Sequence, residues 1–96
     1  MYQKYGPAAS VLQLADREIP AVGAGEVRVR IVVSGVNPTD VGTRAGRNPD
    51  GVELPRVPNQ DGAGVVDAVG RDVDDLSPGD RVWVWDAAYA RADGTA

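Results

Sequence analysis

Glycine and proline interrupt this chain every few residues, twelve and seven of them in 96 positions. In a helix interior each glycine costs about 1 kcal/mol and each proline about 3 kcal/mol relative to alanine. Long helices are therefore excluded, and regular structure must be built from short pieces. The segments between the breaks are rich in valine, a residue suited to a pleated, half-buried strand. The punctuation predicts a β-rich domain with about five to seven short strands, judged by the spacing of turn signals.

Four segments read as strands. "SVLQLADREIP" (10–20) alternates Val11, Gln13 and Ala15 against Leu12, Leu14 and Asp16. "GEVRVRIVVSGV" (25–36) sets Val27, Val29 and Ile31 against Arg28 and Arg30, then turns wholly apolar at Ile31-Val32-Val33. That change predicts a second half buried on both faces. "GAGVVDAVG" (62–70) and "GDRVWVWDA" (79–87) complete the set, and Ser77-Pro78-Gly79-Asp80 between them carries the signature of a type II turn. The stretch 48–62 reads as loop, because its prolines forbid a central strand.

One short helix is expected. Asn37 is its N-cap, with a side-chain oxygen accepting from the amide of Thr39 or Asp40. Pro38 occupies the first helical position, where its missing N–H costs nothing. Asp40 falls in the first turn, where the helix dipole favours an anion. Gly46 fits the left-handed residue past the C-terminus. Gly42 weakens the helix, so tertiary packing must hold it.

Composition narrows the chemistry. A net charge of −4 with no basic stripe argues against a nucleic-acid partner. With no cysteine there is no disulfide framework or thiolate, and with no histidine the commonest zinc ligand and general base are missing. No apolar stretch is long enough for a signal peptide core or a membrane span, so a cytoplasmic location is the default expectation. "GAGVVDAVG" superficially suggests a dinucleotide fingerprint, but it lacks the third glycine and continues as a strand where the fingerprint must open a helix. The final "YARADGTA" provides no element to seal a sheet edge. A barrel completed by further chain is expected.

"GPAASVLQL", "GEVRVRIVVSGVNPTD", "RVPNQDGAGVVDAVG" and "LSPGDRVWVW", in that order, resemble the N-terminal part of the medium-chain dehydrogenase/reductases. Within that superfamily they are most similar to the zinc-free quinone oxidoreductases, the zeta-crystallin-like group. The resemblance implies a mainly β, GroES-like, partly open barrel with one short helix. Residues 1–96 would form the substrate-side domain, and the Rossmann nucleotide-binding domain would lie outside this chain. Zinc-dependent relatives place a cysteine where this chain has Asn37 and Gly-His-Glu where it has Asn59-Gln60-Asp61. Amides cannot replace those thiolate and imidazole ligands, so no zinc is expected.

The same resemblance puts Asn37 beside the nicotinamide ring and the substrate carbonyl, as the catalytic and a cofactor-contacting residue. Its NH₂ would remain free to donate while its oxygen caps the helix. Asp40 either fixes the cofactor's surroundings or serves as a first-turn carboxylate. Arg44 either approaches the cofactor or pairs at the surface. Gln60 and Asp61 replace the metal-binding pair on the substrate side, Asp61 orienting Arg44 or Gln60 or else serving turn chemistry. Trp85 and Tyr89 either wall the substrate side for a flat quinone or pack as core. Relatives often carry an aromatic residue at the position of Gly42.

The implied function is NADPH-dependent, zinc-independent reduction of quinones or α,β-unsaturated carbonyls by a full-length protein, expected as a homodimer. This chain alone is expected to be inactive. Two alternatives share the pattern: an enoyl-thioester reductase of the same superfamily, and a non-enzymatic GroES-like β-barrel module that binds protein. The polar, proline-bearing 48–62 loop weighs against the last.

Overall fold

The computed structural model describes residues 1–47 and 54–87. Among them are three strands, β1 (Val27–Ser34), β2 (Gly62–Val69) and β3 (Arg81–Val84), and two helices, α1 (Ala8–Val11) and α2 (Pro38–Arg44). The strands form one antiparallel sheet in the order β1-β2-β3. The mainly β, open architecture expected from the sequence is the one observed. No helix among the described residues is long and apolar enough to cross a membrane.

Two bulges decide which residues share a face. The β1–β2 register runs Arg28↔Ala68 then Val29↔Val66, and Ile31↔Gly64 then Val33↔Ala63. Asp67 is thus the extra residue on β2, and Val32 the extra residue on β1. An inserted residue breaks the period-2 alternation, so Ile31 and Val33 project to opposite faces. Val33, Ala63 and Trp83 line up across one face. Ser34, Gly62 and Val84 line up across the other.

Three expectations need correction. The described residues contain three strands, fewer than the five to seven anticipated. Residues 12–20 alternate in polarity but pair with no strand, and Leu14 and Ile19 are exposed. Alternation supplies a face, whereas a strand also needs a ladder partner. Ile31, Val32 and Val33, expected to be buried on both faces, are 48%, 65% and 62% exposed. They lie on the edge strand of the described sheet, where the described residues leave them largely uncovered.

Burial of large apolar side chains is sparse. Among the described residues Tyr2, Val11 and Val66 are the buried apolar ones. The N-terminal segment reaches this small core by pairing Tyr2 with Arg56 through two backbone hydrogen bonds of 2.9 Å. On the other side, residues 20–22 stand across from β1. Arg28 holds them there, its Nη1 donating to the Pro20 carbonyl at 3.0 Å while its Nε donates to Asp67 at 2.8 Å. Between segment and sheet lies a cavity of about 510 Å³, walled by Val22, Val27, Val29, Ile31, Val57 and Val84.

Local signals were decisive for α2. Pro38 opens it, and the Asp40 carboxylate accepts the backbone N–H of Asn37 at 2.8 Å. At its end the amide of Gly46 donates to Thr43 O at 3.1 Å and that of Arg47 to Gly42 O at 3.0 Å. With Gly46 at φ +84°, this is a Schellman motif. The expected turn at 77–80 also forms: Asp80 N donates to Ser77 O at 3.1 Å, and Gly79 has φ +98°.

Candidate functional site

The end of β1 and the loop entering β2 meet along a seam of polar contacts. The Gly35 amide donates to the Asp61 carbonyl at 2.9 Å, carrying the β1–β2 ladder one step past its last strand pair. The Asn59 side-chain amide donates to Ser34 Oγ at 3.0 Å. Ala87 N donates to Gln60 O at 2.8 Å, tying the segment after β3 to the same loop. Asn59 adopts φ +76°, a left-handed conformation that asparagine tolerates better than most residues.

Asn37 sits in this seam, half-buried, at the start of α2. Its Nδ2 donates to Asp61, with both carboxylate oxygens at 3.0 Å. A carboxylate is acceptor-only, so the nitrogen end of the Asn37 amide must face it. This corrects the expectation of a free NH₂. Asn37 and Asp40 occupy the two ends of a capping box, and the Asp40 carboxylate accepts the Asn37 backbone N–H at 2.8 Å. The Asn37 amide nitrogen is committed to Asp61.

Gly35 makes the pairing sterically feasible. A Cβ at that position would collide with Asp61 Oδ1, and it would lie 3.1 Å from the carboxylate carbon. The backbone there imposes no left-handed conformation. The requirement for glycine is therefore one of space alone.

The remaining expected site residues separate into those near the seam and those away from it. Gln60 and Asp61 line the large cavity, and Gln60 also lines a small pocket with Asn59, Asp40 and Tyr2. Asp40 is buried, 6% exposed, and its carboxylate holds the helix start. Arg44 faces the N-terminal segment: its Nε donates to Gly6 O at 3.2 Å, and its own carbonyl accepts from Gly6 N at 3.0 Å. It is half-buried and tethered, not a free surface cation. Trp85, one residue past β3, is 77% exposed like Trp83 and is not among the residues lining the cavity. Tyr89 lies outside the described residues.

Sequence reasoning missed Asn59, Ser34 and Gly35 as parts of the seam. Asn59 had a readable signal, since asparagine before a polar loop is a candidate left-handed residue. It also missed Tyr2, 1% exposed, whose phenol burial pushes above its ordinary value of 10.0, with Arg56 pulling the other way. Among the described residues no three His, Cys, Asp or Glu side chains cluster to hold a metal ion. The side-chain groups gathered at the seam are the amides of Asn37 and Asn59, the Ser34 hydroxyl and one carboxylate already paired with an amide.

Comparison with known proteins gives the fold its relatives. The model of the alcohol dehydrogenase GroES-like domain matches residues 23–95. Mitochondrial enoyl-[acyl-carrier-protein] reductase of Mus musculus is 38% identical over 84 residues, which is 88% of this chain and 22% of that protein. The crystal structure of an NAD-dependent alcohol dehydrogenase superimposes with a TM-score of 0.80 at 34% identity, covering 96% of this chain and 29% of the other. Escherichia coli quinone oxidoreductase complexed with NADPH superimposes with a TM-score of 0.76 at 28% identity, covering 85% of this chain and 24% of the other. The chain thus spans less than a third of the length of each of these relatives.

Proposed function

The chain belongs to the alcohol dehydrogenase GroES-like domain family, and from that premise we propose that it forms the substrate-side part of an NADPH-dependent, zinc-independent reductase of quinones or α,β-unsaturated carbonyls. The observation that carries this reading is the Asn37 amide, held by Asp61; Asp61 lines an apolar cavity, and Asn37 stands behind it, outside the lining. Membership among the medium-chain oxidoreductases rests on the relatives described above.

In this reading Asn37 is the group that meets the reacting carbonyl. A bound NADPH supplies the hydride. The Asn37 N–H not shared with Asp61 would donate to the negative charge developing on the acceptor oxygen as the carbonyl is reduced. Solvent then delivers the proton that completes the reduction. Fixed donors aimed at developing charge give one of the largest single contributions to catalysis. Asp40 and Arg44 act behind Asn37: one fixes the helix start, and the other fastens α2 to the N-terminal segment. The wall formed by Val22, Val29, Ile31 and Val57 suits the apolar body of a quinone or enone. The seam offers neither thiolate nor imidazole, the usual anchors of a tetrahedral zinc, which supports the zinc-independent reading.

The test is loss of NADPH absorbance with 1,4-benzoquinone or a simple enone, using the protein that carries this chain. Asn37→Ala is expected to lower kcat by about 10²-fold, the effect of removing one such donor. Absence of NADPH oxidation with every quinone and enone tried refutes the proposal. A second reading, enoyl-thioester reduction, is supported by the identity with the mouse enoyl-[acyl-carrier-protein] reductase. It is favoured if a crotonyl thioester is turned over and quinones are not.

A further inference from the structure

We propose that Asp61 and Gly35 together fix the polarity of the Asn37 side chain, so that Asn37 meets a ligand as a hydrogen-bond donor and selects for carbonyl-type acceptors. Asp61 is in this sense a positioning residue, and Gly35 is the space that admits it. The nature of the ligand rests on the function proposed above, whereas the lock itself does not.

The geometry is specific. A primary amide can be turned end for end with little change in shape, exchanging donor for acceptor. At Asn37 that freedom is removed. Both oxygens of one carboxylate lie 3.0 Å from the same nitrogen. They subtend too narrow an angle there to accept from two N–H bonds, so they share one. The other N–H lies in the amide plane, directed away from Asp61. Turning the amide over would set its oxygen against two carboxylate oxygens, a juxtaposition without a proton.

The main chain at Asp61 is fixed in the seam. Its backbone carbonyl is held by the Gly35 amide at 2.9 Å, and its Oδ1 fills the space where a residue-35 Cβ would stand. The neighbouring residues on both strands of the seam are fastened as well, Asn59 to Ser34 and Gln60 to Ala87. At its other end Asn37 is held through its backbone N–H by Asp40, at 2.8 Å. Main chain and side chain of Asn37 are thus gripped by two different carboxylates, one of them buried.

The deciding measurement is ¹⁵N–¹H spectroscopy of the Asn37 side-chain amide, assigned by its disappearance in Asn37→Ser. In the wild-type chain one Hδ2 proton is expected downfield of its partner and slower to exchange with solvent. Asp61→Asn, which keeps the shape and removes the charge, should abolish that downfield shift and speed exchange by at least about tenfold. Gly35→Ala should do the same while leaving both hydrogen-bonding residues in place. Gly42→Ala is the control, because its Cβ finds only ordinary contact with Arg47 at 3.6 Å, and it should change neither signal. Asn37 amide protons with the same shift and exchange rate in wild type, Asp61→Asn and Gly35→Ala would overturn the lock. In turnover with 1,4-benzoquinone, Asp61→Asn should lower kcat on the order of tenfold with KM little changed, the mark of lost positioning. A wild-type protein that reduces no quinone or enone refutes the proposed function alone, since the spectroscopic readout needs no turnover.

Discussion

The seam at the end of β1 and the open face of the sheet a few residues away are built from opposite materials. Along the seam, Ser34, Gly35, Asn37, Asn59 and Asp61 are joined by hydrogen bonds between residues 24 to 26 positions apart. Across the face, Val33 and Trp83 are aligned with Ala63 yet remain 62% and 77% exposed. Apolar burial is the usual source of stability in a domain of this size. Here the described core is three side chains, so close backbone approach and paired polar groups must hold the strands in register. Position, more than bulk, specifies this fold.

That contrast can be broken at its strongest point. Gly64 is buried in β2, and a Cβ there would collide with the Arg30 backbone carbonyl. Gly64→Ala should destabilise by about 3 kcal/mol, the upper range for forced overpacking, read from urea unfolding followed by circular dichroism. The same substitution at Gly42 should act in reverse. That helical glycine has room for a methyl group, and Gly42→Ala should stabilise by about 0.8 kcal/mol. Equal effects at the two glycines would deny that close approach is what the sheet requires. On the open face, Trp83→Ser should move stability by no more than about 0.5 kcal/mol in the isolated chain. A larger loss would mean that the face is covered in solution. At neutral pH the smallest effect belongs to Tyr2→Phe, whose consequence appears only in alkali. Burial raises the Tyr2 phenol above 10.0, so the stability it contributes is fully present below the unfolded value and is lost as pH climbs through the higher folded value. Denaturant midpoints measured from pH 8 upward should fall above pH 10 in wild type, and fall less in the phenylalanine variant.

Much of this was legible where the cause is local. Pro38, Asp40 and Gly46 signal α2 through positions that act within a turn or two, and its limits follow the sequence closely. Pro78 and Gly79 mark their turn in the same way. The strand cores at Val27–Ser34 and Gly62–Val69 were visible from their valines. What could not be read depends on partners distant in sequence. The alternation of residues 10–20 says nothing about whether another strand lies alongside, and none does among the described residues. The run Ile31-Val32-Val33 looks buried until the extra residue Val32 is known to sit opposite no partner. Asn37 shows the division within one residue. Its place at the head of a helix was readable, but its grip on Asp61, 24 positions away, belongs to the fold.

The bulge at Val32 carries a further consequence for how the molecule behaves in crowded solution. Three consecutive β-branched residues on an exposed sheet border are the kind of segment onto which another chain adds itself, the first step toward fibrils. Because Val32 has no opposite number, the backbone bends there, and an incoming strand cannot remain in register along the whole run. Arg30, exposed on the same strand, charges the approach to it. The kink that sends Ile31 toward the cavity and Val33 to the opposite face also keeps this border from serving as a template for its own kind.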